Sequence, residues 1–274
     1  MDPLKVLVLT DFSPLSKVAL QYAVKMSAKL GAELTIVNVV RLDGVPKSNM
    51  RLKQVEGMLM KIAEEEGEKL LAEIKPKGGA LVSFRAIKGH TVTDVIKRYT
   101  SKNYVNLVVM GSQGASELKK MGLGGTTVSV IDSLKAPVMA IPKFAEFEGF
   151  GNIVYATDLK DLKAELDLII PFASIFNTHI HTVHVVESVD KKVEDQRISA
   201  EKIIEKTGYK KIDFRLIIDD DIPSAIDGYI RQSKADLLTT FTHELTLFEK
   251  LFRLSVTRQL AYQGNIPLLA FKRK

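Results

Sequence analysis

Two tandem α/β domains, each a doubly wound five-stranded parallel sheet, are predicted by three observations in this sequence. Short unbroken apolar runs, such as Val6-Leu7-Val8-Leu9 and Leu107-Val108-Val109, recur between longer stretches with helical periodicity. Runs of that kind mark strands buried on both faces, and their alternation with helices marks parallel strands joined by crossovers. The third observation is a duplication. After the linker 143–151 the pattern restarts: residues 152–159 repeat 5–12, with Asp158 standing 147 positions (158 − 11) beyond Asp11. Later, 235–238 repeats 105–108 and 265–271 repeats 135–141, both at an offset of 130 (265 − 135).

In chain order, 4–9 reads as the first strand, ending in Thr10-Asp11-Phe12-Ser13. Ser13 or Asp11 can cap the helix that follows, and Gly31 stops it. Residues 33–40 form the second strand. A long amphipathic helix is expected over 50–74, with Met58, Ile62, Leu70 and Ile74 on its apolar stripe and Glu64-Glu65-Glu66 facing water. Met58 and Met60 read as core or interface filling. Then come a strand at 81–87, a helix at 91–102, a strand at 105–110, a glycine-bearing loop, a helix at 127–134 and a strand at 137–141. The domains are expected at 1–146 and 147–274, their fifth strands pairing within the chain as a pseudo-dimer that leaves no exposed edge, with assembly into a homo-oligomer left open.

Composition narrows the classes of function. The 274 residues, 46% hydrophobic and 26% charged, suit globular domains with full cores. There is no cysteine, which removes disulfides, thiolate metal sites and cysteine nucleophiles. No apolar run reaches the length of a membrane span and no cleavable leader stands at the start, so a cytoplasmic protein away from membranes is expected. The net charge of +6 is scattered among acids rather than gathered with aromatics, which gives no support for a nucleic-acid partner. The closing Lys272-Arg273-Lys274 reads as a solvated tail.

One stretch is suited to hold an anion. Gly111, Gly114 and Gly124 are spaced Gly-x2-Gly-x9-Gly directly behind the buried fourth strand. Glycines there let backbone approach a ligand, and Thr126-Thr127 can open a helix whose N–H groups face a phosphate. No lysine follows Gly124-Gly125 as in a Walker loop, and the dinucleotide fingerprint is absent. Ligands in such sheets sit beyond the carboxyl ends of the strands, which gathers Asp11, Val39 and the stretch from Gly111 to Thr127 around one crevice.

The glycine spacing resembles the nucleotide loop of the universal stress protein family, and the resemblance covers nearly the whole chain: strand order, the Thr-Asp after the first strand, and an apolar final strand opened by proline recur in both halves. Gly125 stands where the family loop has serine or threonine. The resemblance implies an ATP site in the first half, with Asp11 beside the adenosine, backbone at Val39 on the adenine, and Gly111, Gly114, Gly124, Gly125, Thr126 and Thr127 around ribose and phosphates. It implies a nucleotide-responsive binding or signalling module using ATP, with or without Mg²⁺, or another adenine nucleotide, and an unidentified protein partner. The alternatives are a slow Mg²⁺-dependent ATPase and an interaction protein with a decayed site. The lack of an evident general base argues against efficient turnover.

The second half departs from the pattern. Phe241, Glu244 and Leu254 stand at the three glycine positions, while Ser255-Val256-Thr257 survive and Asp158 and Val185 keep the adenosine positions. No family-type ATP site is expected there, and its 245–252 stretch offers an apolar surface to a partner. His179 and His181 share one face of a strand and His184 the other, so all three are read as core or surface histidines rather than metal ligands. Asp219-Asp220-Asp221 is read as a solvated turn.

Overall fold

The computed structural model describes residues 3–41, 49–74, 81–113, 123–242 and 266–273. The chain divides into two compact units, Met1–Phe147 and Glu148–Lys274. In the first unit the order is β1 (Lys5–Thr10), α1 (Pro14–Leu30), β2 (Glu33–Arg41), α2 (Asn49–Glu73), β3 (Val82–Gly89), α3 (Val92–Lys102), β4 (Leu107–Gly111), α4 (Gly125–Ser133) and β5 (Val138–Ile141). Its sheet is parallel throughout and runs β3-β2-β1-β4-β5. Crossovers through α1 and α2 step outward from β1 to β3, and those through α3 and α4 step back through β4 to β5. Right-handed connections put the two pairs of helices on opposite faces. The strand order therefore reverses between β1 and β4, the place where open sheets of this kind form a ligand crevice.

Local chemistry sets the elements. The β1 residues from Val6 to Leu9 are buried, as a central strand requires. Ser13 caps α1 by accepting from Ser16 N, Pro14 follows it, and Gly31 ends the helix at a φ of 61°. Thr91 caps α3, accepting from Asp94 N at 3.1 Å and donating to Asp94 Oδ2 at 2.7 Å.

The apolar stripe of α2 differs from expectation. Met58 is 66% and Ile62 46% exposed, so neither fills this unit's core, whereas Ala63, Gly67 and Leu70 are buried. Gly67 explains the rotation. A β-carbon there would lie 2.2 Å from the Phe84 ring, so the helix comes down on β3 at its glycine and turns Met58 and Ile62 outward.

The second unit holds β6 (Asn152–Ala156), α5 (Leu162–Phe176), β7 (His179–Val186), α6 (Lys191–Lys206), β8 (Ile212–Ile218), α7 (Ile222–Ser233), β9 (Leu237–Thr242) and β10 (Leu268–Lys272). Its parallel sheet runs β10-β9-β6-β7-β8, the same winding again. The linker aromatics anchor each in its own unit: Phe147 meets Tyr22 edge-on at 5.2 Å, and Phe150 meets Phe176 at 4.9 Å. In the acidic turn, Asp221 N donates to Asp219 Oδ1 and Asp221 Oδ2 accepts from Ser224 Oγ, which fits a turn leading into α7. Among the described residues, no helix is long and apolar enough to cross a membrane.

Candidate functional site

A cleft of about 360 Å³ opens in the first unit where the strand order reverses. That size suits a small-molecule ligand. Asp11 lies at its edge just past β1 and is exposed. Its Oδ1 accepts from Ser13 N at 3.1 Å, while Phe12 N donates to Thr10 Oγ1 at 3.0 Å. These bonds close a turn in which Phe12 has a φ of 62°, a left-handed conformation that costs a non-glycine residue energy and is held here by the two hydrogen bonds. Behind the turn, Asn38 Nδ2 donates to Thr10 O at 2.9 Å and ties the end of β1 to β2.

The opposite wall comes from β4 and α4. Gly111 pairs with Ile141, and a β-carbon on it would stand 3.2 Å from Gln113 O and 3.8 Å from Leu15 O, so the backbone turns in a space that barely admits a side chain. Gly124 N donates to Ser112 O at 2.7 Å and Thr127 Oγ1 to Gly111 O at 3.0 Å, which ties the two ends of the glycine stretch together. The helix starts earlier than expected. Gly124 is the N-cap, and Thr127 spends its buried hydroxyl on Gly111 rather than on a cap or ligand. Helix-opening turns carry N–H groups without intrahelical acceptors, and Thr126 and Thr127, in that turn, line the cleft. Asp11, Val39, Gly111, Thr126 and Thr127 thus come together around one space; Gly124 and Gly125 adjoin it at the start of α4, and Gly114 lies outside the described residues. Arg41, two residues beyond Val39 on the same face of β2, lines the cleft as well. The period-2 rule applied to Val39 would have found it.

The family model described as the universal stress protein family matches residues 4–142, half of the chain. The chain belongs to the universal stress protein family. Universal stress protein YxiE of Bacillus subtilis is 31% identical over 145 residues, covering 50% of this chain and 97% of that protein. Universal stress protein Slr1230 of Synechocystis is 23% identical over 290 residues, 97% of this chain and 99% of that protein. Among solved structures, a universal stress protein from Archaeoglobus fulgidus superposes with a TM-score of 0.71 at 19% identity over 98% of both chains, a likeness of fold.

The second copy of the universal stress protein fold rebuilds the same turn and then closes it. Leu159 has a φ of 64°, Leu159 N donates to Thr157 Oγ1 at 3.0 Å, and Asp158 Oδ1 accepts from Lys160 N at 3.1 Å, bond for bond the arrangement at Asp11. His184 takes the place of Asn38, its Nδ1 donating to Thr157 O at 2.9 Å. Asp158, however, is occupied. Arg273, just past β10, donates from Nη2 to Asp158 Oδ1 at 2.7 Å and from Nη1 to Asp158 Oδ2 at 3.2 Å, and from Nε to Glu165 Oε1 at 2.5 Å.

The Arg273 side chain is 6% exposed and that of Glu165 2%, so Arg273, expected in a solvated tail, instead joins a buried ion cluster, while Lys272 is exposed as expected and Lys274 lies outside the described residues. Asp158 has a tail residue as its partner because the first residue after β10 that can turn inward carries a guanidinium, which pairs with two carboxylates at once. Burial works to raise the Asp158 pKa, but the Arg273 hydrogen bond and charge hold it below the ordinary value. Burial raises Glu165 despite its bonds to Tyr155 and Arg273, and raises the Tyr155 hydroxyl well up, with the Glu165 charge adding to it. Burial opposes the Arg273 charge, yet its two carboxylates push its pKa up. Phe241 pairs with Phe271 as Gly111 pairs with Ile141, and its buried ring stacks on Phe271 at 5.0 Å and meets Tyr155 edge-on at 5.9 Å. Glu244, Leu254, Ser255, Val256 and Thr257, with the 245–252 stretch, lie outside the described residues.

Proposed function

We propose that the first unit binds one molecule of ATP or another adenine nucleotide and that the chain acts in the cytoplasm as a nucleotide-responsive binding module. The observation that carries this is the convergence of Asp11, Val39, Gly111 and the first turn of α4 on one cleft at the strand-order reversal. Asp11 would meet the ribose hydroxyls, Val39 the base, and the backbone of Gly111, Gly114, Gly124, Gly125 and Thr127, with Thr126, the phosphates, which a helix N-terminus favours. Mg²⁺ bound with the nucleotide would neutralise phosphate charge. The described lining holds one carboxylate, Asp11, and no lysine, so the proposal is for binding and not for turnover.

Gly124→Val is the test. Gly124 is buried with a φ of −67° and a ψ of 152°, a backbone any residue adopts, so a side chain adds bulk at the start of α4, next to the cleft-lining Thr126 and Thr127, without backbone strain. Calorimetric titration should show ATP affinity falling at least about 100-fold, close to 3 kcal/mol. Equal affinity in the variant and the natural chain would refute the site.

A further inference from the structure

We infer that His179, His181 and Asp213 in the second unit form a binding site for one divalent first-row transition-metal ion. The three lie on two neighbouring strands. His179 and His181 are two apart on β7 and share a face, and the register pairs His181 with Asp213 of β8. One ligand atom from each of the three can be chosen so that all lie within 4.8 Å of one another. His179 Nε2 is 3.1 Å from Asp213 Oδ2, and His181 Nδ1 is 3.4 Å from Asp213 Oδ1. Ligands held about 2.0–2.2 Å from a tetrahedral zinc ion stand about 3.4 Å apart, so the histidine–aspartate separations match and the set, which spans up to 4.8 Å, closes on the ion by side-chain rotation. Two imidazoles and a carboxylate suit zinc, cobalt, nickel or copper and leave a position for water.

Two further observations point to a cation. Asp213 Oδ1 is buried without a hydrogen-bond partner, although it faces His181. A buried carboxylate oxygen in that state calls for a positive charge. His181 Nε2 meets Asn152 Oδ1 at 3.4 Å, and an imidazole that donates there turns its Nδ1 lone pair toward Asp213, the orientation that a hydrogen-bonded outer partner gives a metal-ligating histidine.

The fold itself does not demand these groups. At the matching positions of the first unit, Thr35 and Ser83 pair across β2 and β3, joined by a hydroxyl contact of 3.4 Å. His184 is not part of the set, since its Nδ1 is committed to Thr157 O. Two neighbours compete for the same atoms: Tyr229 OH, 3.3 Å from His181 Nδ1, and Arg215, 3.4 Å from Asp213 Oδ2 with its side chain 55% exposed. The exposed guanidinium can turn into solvent.

The test is equilibrium dialysis of the full, tag-free chain against micromolar Zn²⁺ after chelator treatment, with metal content read by atomic emission. The natural chain should hold one Zn²⁺. His179→Ala, which removes a part-exposed ring, and Asp213→Asn, which keeps the shape, should each lose that equivalent. Asn152→Ala should weaken binding about 10-fold, and Arg215→Ala should tighten it several-fold by removing a like charge. His184→Asn should retain the ion. No saturable zinc in the natural chain, or one equivalent retained in both His179→Ala and Asp213→Asn with unchanged far-ultraviolet circular dichroism, would overturn the assignment.

Discussion

The ends of β1 and β6 are the same piece of chain folded twice and put to different ends. Each finishes in Thr-Asp, each follows with a non-glycine residue in the left-handed region, and each holds that turn with the same two hydrogen bonds. At β1 the aspartate is exposed on a cleft, and at β6 it is bound by the guanidinium of Arg273. The turn is therefore a property of the fold, while the use of the carboxylate depends on what the end of the last strand brings to it. In the second unit that is an internal cation, backed by Glu165 on α5 where the first unit has Val18. A charge pair this dry is held by both partners, and removing one leaves the other buried and uncompensated.

Arg273→Ala is accordingly the change with the largest expected effect on the comparison. It should destabilise the second unit by about 3 kcal/mol, the lower end for a broken buried pair, because Glu165 can relieve part of the cost by protonation. Arg273→Lys should recover only part of this, since an ammonium cannot pair bidentately. Peptide-resolved hydrogen exchange should show the loss across β6, α5 and β10 and leave α1 to β4 unchanged. Equal protection in β6 and α5 before and after the change would show that the cluster contributes nothing.

The pH dependence sharpens the same contrast. Asp158 has a folded pKa below its unfolded value, so its contribution is complete above about pH 4 and is lost as pH falls through the depressed folded value. Glu165 runs the other way. Its folded pKa is raised, so its contribution is present below the ordinary carboxylate range and lost as pH rises through the folded value. Between those limits the second unit should be at its most stable in mildly acid solution, and Arg273→Ala should flatten the acid limb because it removes the hydrogen bond that depresses Asp158. An unaltered acid limb in the variant, followed by urea unfolding from pH 3 to 7, would contradict this.

The smallest effect concerns the tie behind each turn. Asn38 and His184 do one job, each donating to the carbonyl at the strand end. His184→Asn should therefore shift stability by less than about 1 kcal/mol, whereas His184→Leu, which leaves the Thr157 carbonyl unpaired, should cost about 1–3 kcal/mol. Comparable losses in both variants, measured by urea unfolding, would mean that ring packing rather than the hydrogen bond is what matters there.

Much of this was legible in the sequence, because buried parallel strands and repeated Thr-Asp turns write themselves as local patterns. The register Phe241 against Phe271, matching Gly111 against Ile141, agrees with the alignment read from residues alone. What was not legible depends on contacts between distant residues. Nothing local distinguishes Arg273 from a solvated basic tail, and its burial follows from two carboxylates more than 100 positions away. Asp213 joins the histidines only through the β7–β8 register, and Met58 turns outward because Gly67 lets α2 approach Phe84.

The central claim is that one of two similar strand ends takes a nucleotide and the other has filled its place with its own arginine. Native mass spectrometry of the intact chain in excess ATP reads this directly. A single added nucleotide, lost in Gly124→Val and kept in Arg273→Ala, is the predicted result; two nucleotides on the natural chain, or none, would contradict it.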